Sequence, residues 1–181
     1  FRSSEVYRLV TGEFADTATI NDIGAMITFA KNMMLSDEEI EALSGSGYDT
    51  LKIYREYNLA LSSRSLMDYD DQMVTALDIL RKYPDILAYF HGRFRYICVD
   101  EAQDTSKIQH EIIRLLAAKS GNIFMVGDED QSIYAFRGAY PEALIDFEKT
   151  YKNAQILFME QNFRSTPEII GVADSFVKCN R

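Results

Sequence analysis

Cys98 and Cys179 are the only cysteines in 181 residues, and they stand far apart with no second pair. Neither a disulfide framework nor a zinc site is indicated, and a reducing cytoplasm is the expected compartment. No apolar stretch approaches bilayer-spanning length, and no leader pattern of charged, apolar and small residues precedes the body, so no membrane partner is expected. Positive charge is scarce as well: 19 Lys and Arg against 28 Asp and Glu leave a formal net charge of -9. That balance argues against holding nucleic acid by overall electrostatics, because phosphate neutralisation needs cations at the contact surface, so any such contact has to be local. Low-complexity tracts and internal sequence repeats are missing too. The hydrophobic content of 47% is enough for a real core in one or two domains.

The first part of the chain, residues 1–64, reads as helical, with no strand pattern longer than a few residues. Ile23, Ile27, Ala30 and Met34 share one helical face, with Asn21 as a candidate cap. Ser36 to Glu39 has the form of a capping box for a short helix carrying Ile40 and Leu43, ended by the Ser44-Gly45-Ser46-Gly47 break. Leu51, Tyr54, Tyr57, Asn58 and Leu61 suggest a third helix, its tyrosines serving packing. The stretch Met67-Asp68-Tyr69-Asp70-Asp71 precedes a helix with Met73, Val74, Leu77 and Leu80, which Asp70 or Asp71 is placed to cap.

Beyond residue 64 strands and helices alternate. Phe94 to Val99, Ile123 to Val126 and Ile156 to Met159 are short apolar runs of strand type. Each is followed by a helical pattern, first Ile108, Ile112, Leu115 and Leu116, then Ala143, Leu144 and Phe147, then Ile169, Ile170, Ala173 and Phe176. This alternation predicts an α/β fold: a parallel sheet with right-handed crossovers, covered on both faces and preceded by an all-helical layer. Asp100, Asp128 and Asn162 then emerge on one sheet edge, where open α/β sheets bind ligands.

Two acidic signatures end the first two apolar runs: Val99-Asp100-Glu101-Ala102-Gln103-Asp104-Thr105-Ser106, and the thirteen residues from Gly127 to Ala139. Asp100 at a strand end suits a magnesium ion, and Glu101 suits orienting or deprotonating a water, although turn and capping roles explain most Asp-Glu pairs. The Gln131 amide can bond both a phosphate oxygen and a water. Tyr134 and Phe136 beside Arg137 offer flat faces to the bases of a single strand, with buried packing the equal alternative. In Asn162-Phe163-Arg164-Ser165, Ser165 or Thr166 can cap a helix that has Pro167 in its first turn. Arg164 beside such a helix start suits an arginine finger, although an Arg in a loop is ordinarily solvated or ion-paired.

These three segments, in this order and spacing, closely resemble the second, third and fourth signature motifs of the superfamily 1 DNA helicases of the UvrD, Rep and PcrA type. Met67 to Asp71 looks like the acidic stretch that this family carries ahead of its second motif. The resemblance implies a RecA-like motor coupling ATP hydrolysis to 3′-to-5′ movement along single-stranded DNA and to duplex unwinding, in DNA repair or replication. It implies Asp100 as the magnesium ligand, Glu101 as catalytic base, and Gln131 and Arg164 at the terminal phosphate, Arg164 from the second motor domain. Phe163 would stack on adenine, Tyr134 and Phe136 would contact DNA bases, and Arg137 would link the DNA and nucleotide sites. Phe163 stands where the family commonly has Tyr, and Phe136 where it commonly has Trp; both substitutions keep a ring for stacking.

The Gly-x-x-x-x-Gly-Lys-Thr/Ser loop that cradles phosphates in this ATPase class is nowhere in the chain, and Gly45-Ser46-Gly47 lacks both the Lys and a preceding strand. With a start at Phe1 and no initiator Met, the expectation is an internal piece of a longer helicase, inactive alone, whose partners include the rest of that chain and single-stranded and duplex DNA. The expected parts are a helical insertion over 1–64, the later half of the first motor domain over 65–152, and the start of the second over 153–181. Two alternatives are a non-enzymatic DNA-binding or regulatory module and the helicase part of a nuclease-helicase. A metal-dependent nuclease built on Asp100, Glu101, Asp128 and Asp130 would leave Gln131, Phe136 and Arg164 unexplained.

Overall fold

The computed structural model describes residues 3–43, 48–132 and 138–179, which fall into two compact units, 1–144 and 145–181. The expected break at Ser44 to Gly47 and the residues Tyr134, Phe136 and Arg137 lie outside the described residues. The first unit is mostly helical around a two-stranded parallel sheet.

Helices α1 (Ser3–Thr11), α2 (Thr17–Met33), α3 (Asp37–Ala42) and α4 (Thr50–Ser63) form the predicted helical layer. Val6, Ile23, Ile27 and Ile53, each at most 3% exposed, make its core, with Tyr7, Tyr54 and Tyr57 packed around them. Asp16, not Asn21, caps α2: its carboxylate accepts the Thr19 N–H at 2.7 Å, and Asn21 lies inside the helix. The helix therefore starts a turn earlier than the apolar face alone suggests. Ser36 and Glu39 form the expected reciprocal capping box of α3.

Helices α5 (Tyr69–Lys82), α6 (Pro84–Arg93) and α7 (Lys107–Ala117) pack against one another, and α2 packs on α5 and α7. The cap of α5 is Asp68, with Asp71 at the third position returning a bond to the Asp68 N–H. Asp70, one of the two expected caps, reaches across to α2 instead, accepting from Thr28 Oγ1 at 2.9 Å and Asn32 Nδ2 at 2.8 Å. Helix α6 went unmarked by apolar periodicity; Pro84 opens it, at a first-turn position whose N–H would have no helical partner.

Strands β1 (Ile97–Val99) and β2 (Ile123–Met125) pair in parallel with Ile97 opposite Ile123 and Val99 opposite Met125. They are joined through α7, the expected strand-helix-strand unit, and both are shorter than their apolar runs. Phe94 ends α6, donating its N–H to Phe90 O, and so is spent on the helix. The sheet is not covered on both faces, since Cys98 and Phe124 on one face are exposed and carry no layer among the described residues.

In the second unit, α9 (Phe147–Thr150) follows the short α8 (Glu142–Ile145), and α10 (Pro167–Lys178) begins at Pro167 after Thr166. Ile156 to Met159 forms no strand. The segment has no ladder partner among the described residues, and unpaired extended backbone gains nothing over hydration.

Lys31 on α2 is the most deeply buried charge among the described residues, its side chain 2% exposed, with Nζ 2.7 Å from Asp68 Oδ2 and 2.6 Å from Asp71 Oδ1. Its ammonium also lies 5.2 Å from the centre of the Tyr57 ring. Burial works against the Asp68 carboxylate, yet the bonds from Lys31 and the Asp71 backbone outweigh it and hold its pKa below the usual 3.8. Burial and the Asp68 charge push the Tyr57 hydroxyl up to about 12. Lys31→Met should lower stability by about 3 kcal/mol, the low end for breaking a buried pair because both carboxylates keep some solvent contact. A lower urea midpoint at unchanged slope checks this. Because folding depresses the Asp68 pKa, its contribution is complete above 3.8 and fades as pH falls below that value. The wild type should therefore lose stability on acidification below about pH 4 more steeply than Lys31→Met does.

Candidate functional site

The two strands end at the same edge and deliver the two acidic signatures side by side. Beyond the paired residues the backbone stays joined: Val126 N–H donates to Val99 O at 2.9 Å, and Ala102 N–H donates to Val126 O at 2.9 Å. Asp100 and Glu101 follow β1 directly, both exposed. Glu101 adopts the left-handed conformation, φ 49° and ψ 44°, which a non-glycine residue holds only where its surroundings fix it. Its N–H donates to Asp100 Oδ1 at 3.0 Å, and its carbonyl accepts from Asp104 N–H at 2.9 Å, closing a 3-10 turn over Ala102–Asp104.

That turn is anchored inside the protein. Ala102 is 0% exposed, Gln103 1% and Ser106 4%. Thr105 Oγ1 donates to Ala102 O at 2.6 Å and lies 2.5 Å from His110 Nε2. Burial lowers the His110 pKa and favours the neutral ring, partly offset by a bond to the Ala102 backbone. The Thr105 carbonyl accepts from Tyr140 N–H at 2.9 Å, and Ser106 bridges Ala139, so the second signature begins and ends against the first.

Gln103 makes the central connection. Its Nε2 donates to Glu101 Oε2 at 2.8 Å, its Oε1 accepts from Asp128 N–H at 3.1 Å, and its carbonyl accepts from Ser132 Oγ at 3.3 Å. Asp128 in turn organises the loop after β2, accepting from Asp130 N–H at 3.1 Å and from Gln131 Nε2 at 2.7 Å. Asp100, Glu101 and Gln131 are thus members of one hydrogen-bonded edge. Gly127 leaves room for the contact, since a Cβ there would sit 2.7 Å from Gln103 Oε1 and 2.6 Å from Leu144 Cδ1.

Phe163, 91% exposed, and Arg164 belong to the second unit, in a turn where Asn162 Oδ1 accepts from Arg164 N–H at 2.9 Å and Ser165 N–H at 3.0 Å. Thr166, one of the two expected caps, occupies the cap position of α10, with Pro167 in the first turn. Among the described residues no group of three or more His, Cys, Asp or Glu is arranged to hold a metal ion. Asp100 alone, exposed at the strand end, fits a magnesium ion held by one or two carboxylates, waters and nucleotide phosphates.

A family model described as the UvrD/REP helicase N-terminal domain matches residues 6–152. The chain belongs to the UvrD/REP helicase family. It is 39% identical over 145 residues to the ATP-dependent DNA helicase PcrA of Staphylococcus aureus (strain Mu50), covering 80% of this chain and 20% of that one. With PcrA of Bacillus subtilis (strain 168) it shares 37% over 156 residues, 85% of this chain and 21% of that one. With PcrA of Staphylococcus epidermidis it shares 38% over 160 residues, 87% and 22% respectively. The chain spans about a fifth of the length of these curated relatives. The two acidic signatures, residues 99–106 and 127–139, lie within the matched residues.

Reading the sequence alone missed Gln103 and Lys31. Gln103 lies inside the first acidic signature, but nothing in its neighbours marks it as buried. Lys31 falls in register with Ile23, Ile27 and Ala30 on the inner side of α2, and a lone cation there, near an acidic stretch in need of a partner, was the available signal.

Gly138, at φ 81°, closes the second signature against α2, where a Cβ would lie 2.8 Å from the Asn32 Cβ. Gly138→Ala should cost at least about 1–2 kcal/mol from its backbone conformation alone. Gly24→Ala, inside α2 with open space around the added carbon, should instead gain about 0.5–1 kcal/mol. Paired melting curves check both, and equal shifts would contradict the assigned contact.

Proposed function

We propose that this chain is the part of an ATP-dependent DNA helicase in which the hydrolytic carboxylates meet the loop that senses both nucleotide and DNA. The observation that carries the reading is the shared sheet edge, where Glu101 is hydrogen-bonded through Gln103 to the loop of Asp128 and Gln131, and Asp100 accepts from the Glu101 N–H. Its support is the family membership together with relatives named as ATP-dependent DNA helicases. On this reading the two-stranded sheet is a portion of a RecA-like motor, with 1–64 the helical insertion, 65–152 the later half of the first motor domain and 153–181 the opening of the second. The whole protein works in the cytoplasm, moves 3′ to 5′ on single-stranded DNA and unwinds duplex.

The roles follow from side-chain chemistry. Asp100 would hold magnesium, which when bound neutralises phosphate charge. Glu101, exposed beside it, orients a water and accepts its proton. Gln131 has an amide that can exchange its bond to Asp128 for a phosphate oxygen. Phe163 offers an exposed ring to adenine, and Arg164 a planar cation to charge developing on the terminal phosphate. Tyr134 and Phe136 stack on bases, and Arg137 links the two sites.

The chain on its own, having no phosphate-cradling loop, should show no DNA-stimulated ATP hydrolysis; turnover above background contradicts the reading. In the full-length helicase Glu101→Gln should keep ATP binding while hydrolysis falls by about two to four orders of magnitude. Phe136→Ala should weaken single-stranded DNA binding by about 1–3 kcal/mol with ATP binding nearly unmoved. Gln131→Ala should leave nucleotide-free DNA affinity intact and uncouple hydrolysis from stepping. Fluorescence anisotropy with DNA alone and nucleotide titration without DNA separate these, and a large fall in melting temperature at unchanged DNA affinity would make Phe136 a packing residue.

A further inference from the structure

We propose that Gln103 is a positioning residue for hydrolysis, fixing the Glu101 carboxylate and the Gln131 loop in one geometry; this rests on the reading of Glu101 as the base. Glu101 is exposed, and a solvated glutamate samples many rotamers, so a base at this position needs something to hold it. The Gln103 amide does so from an interior position, 1% exposed, through the 2.8 Å bond to Glu101 Oε2. The same amide uses its oxygen on Asp128 N–H, and the Asp128 carboxylate holds the Gln131 side chain. One planar group therefore sets both ends, and rotating it breaks both bonds together.

Two further observations separate positioning from mere filling. A buried filler would be served as well by an apolar side chain, whereas Gln103 spends both halves of its amide on the two loops and leaves neither half unsatisfied. Gly127 is bare where a methyl group would press on the Gln103 oxygen at 2.7 Å, so the neighbouring strand end is shaped around the amide. The left-handed backbone of Glu101 is held from the same turn, which directs its carboxylate toward Gln103 rather than outward.

The test is steady-state ATP hydrolysis by the full-length helicase with saturating single-stranded DNA. Gln103→Met, of similar volume and without either bond, should lower kcat about 10- to 100-fold, the scale of removing a partner that orients a catalytic group. The KM for ATP, nucleotide-free DNA affinity and melting temperature should change little. In a Glu101→Gln background Gln103→Met should add almost nothing, because the carboxylate it positions is already gone. If Gln103→Met fails to fold, Gln103→Asn keeps a buried amide but is one methylene too short to reach both loops, and the same fall in kcat is expected. Wild-type kcat in a folded Gln103 variant, or a rise in KM at unchanged kcat, overturns the inference. Near-normal turnover in Glu101→Gln alone overturns instead the reading of Glu101 as base.

Discussion

The buried amide of Gln103 is the constraint on which the site geometry depends. Parallel strands three residues long bring two loops to one edge but leave each free to turn about its own strand end. A buried amide cannot rotate without abandoning a donor and an acceptor, and leaving either unpaired costs about 1–3 kcal/mol. That penalty converts proximity into a fixed relation between Glu101 and Asp128. The backbone bond from Ala102 to Val126 and the Gly127 clearance are the conditions under which the amide can sit where it does.

A second set of contacts ties this edge to the helical layer. Adjacent residues of α2 do different work there: Lys31 neutralises Asp68 and Asp71 at the start of α5, while Asn32 bonds Asp70 through its amide and meets Gly138 through its Cβ. A chain with net charge -9 thus spends one of its 19 Lys and Arg residues in the interior, between Asp68 and Asp71. Helix α2 thereby touches both the cap of α5 and the end of the second signature.

Much of the arrangement was legible in the sequence because it rests on local chemistry. Apolar runs that stop at Asp100 and Gly127 predict strands ending together, and Ser36 with Glu39 predicts its capping box without any tertiary knowledge. The misses are tertiary. Asn21 and Asp70 were plausible caps, but Asp16 and Asp68 start the helices earlier, and Asp70 is taken by a long-range bond to α2. Ile156 to Met159 reads as a strand by composition, yet a strand exists only with a partner ladder, which composition does not supply. Gln103 was invisible for the same reason: its importance lies in what surrounds it.

The most direct test of this account is amide hydrogen exchange at Asp128, resolved by NMR on this 20.7 kDa chain. Asp128 is an exposed residue whose N–H donates to Gln103 Oε1, so the wild type should exchange it far more slowly than an unstructured amide, and Gln103→Met should release it while β2 amides stay protected. Exchange at the unstructured rate in the wild type, or equal protection in both proteins, would show that the amide does not hold the two loops together.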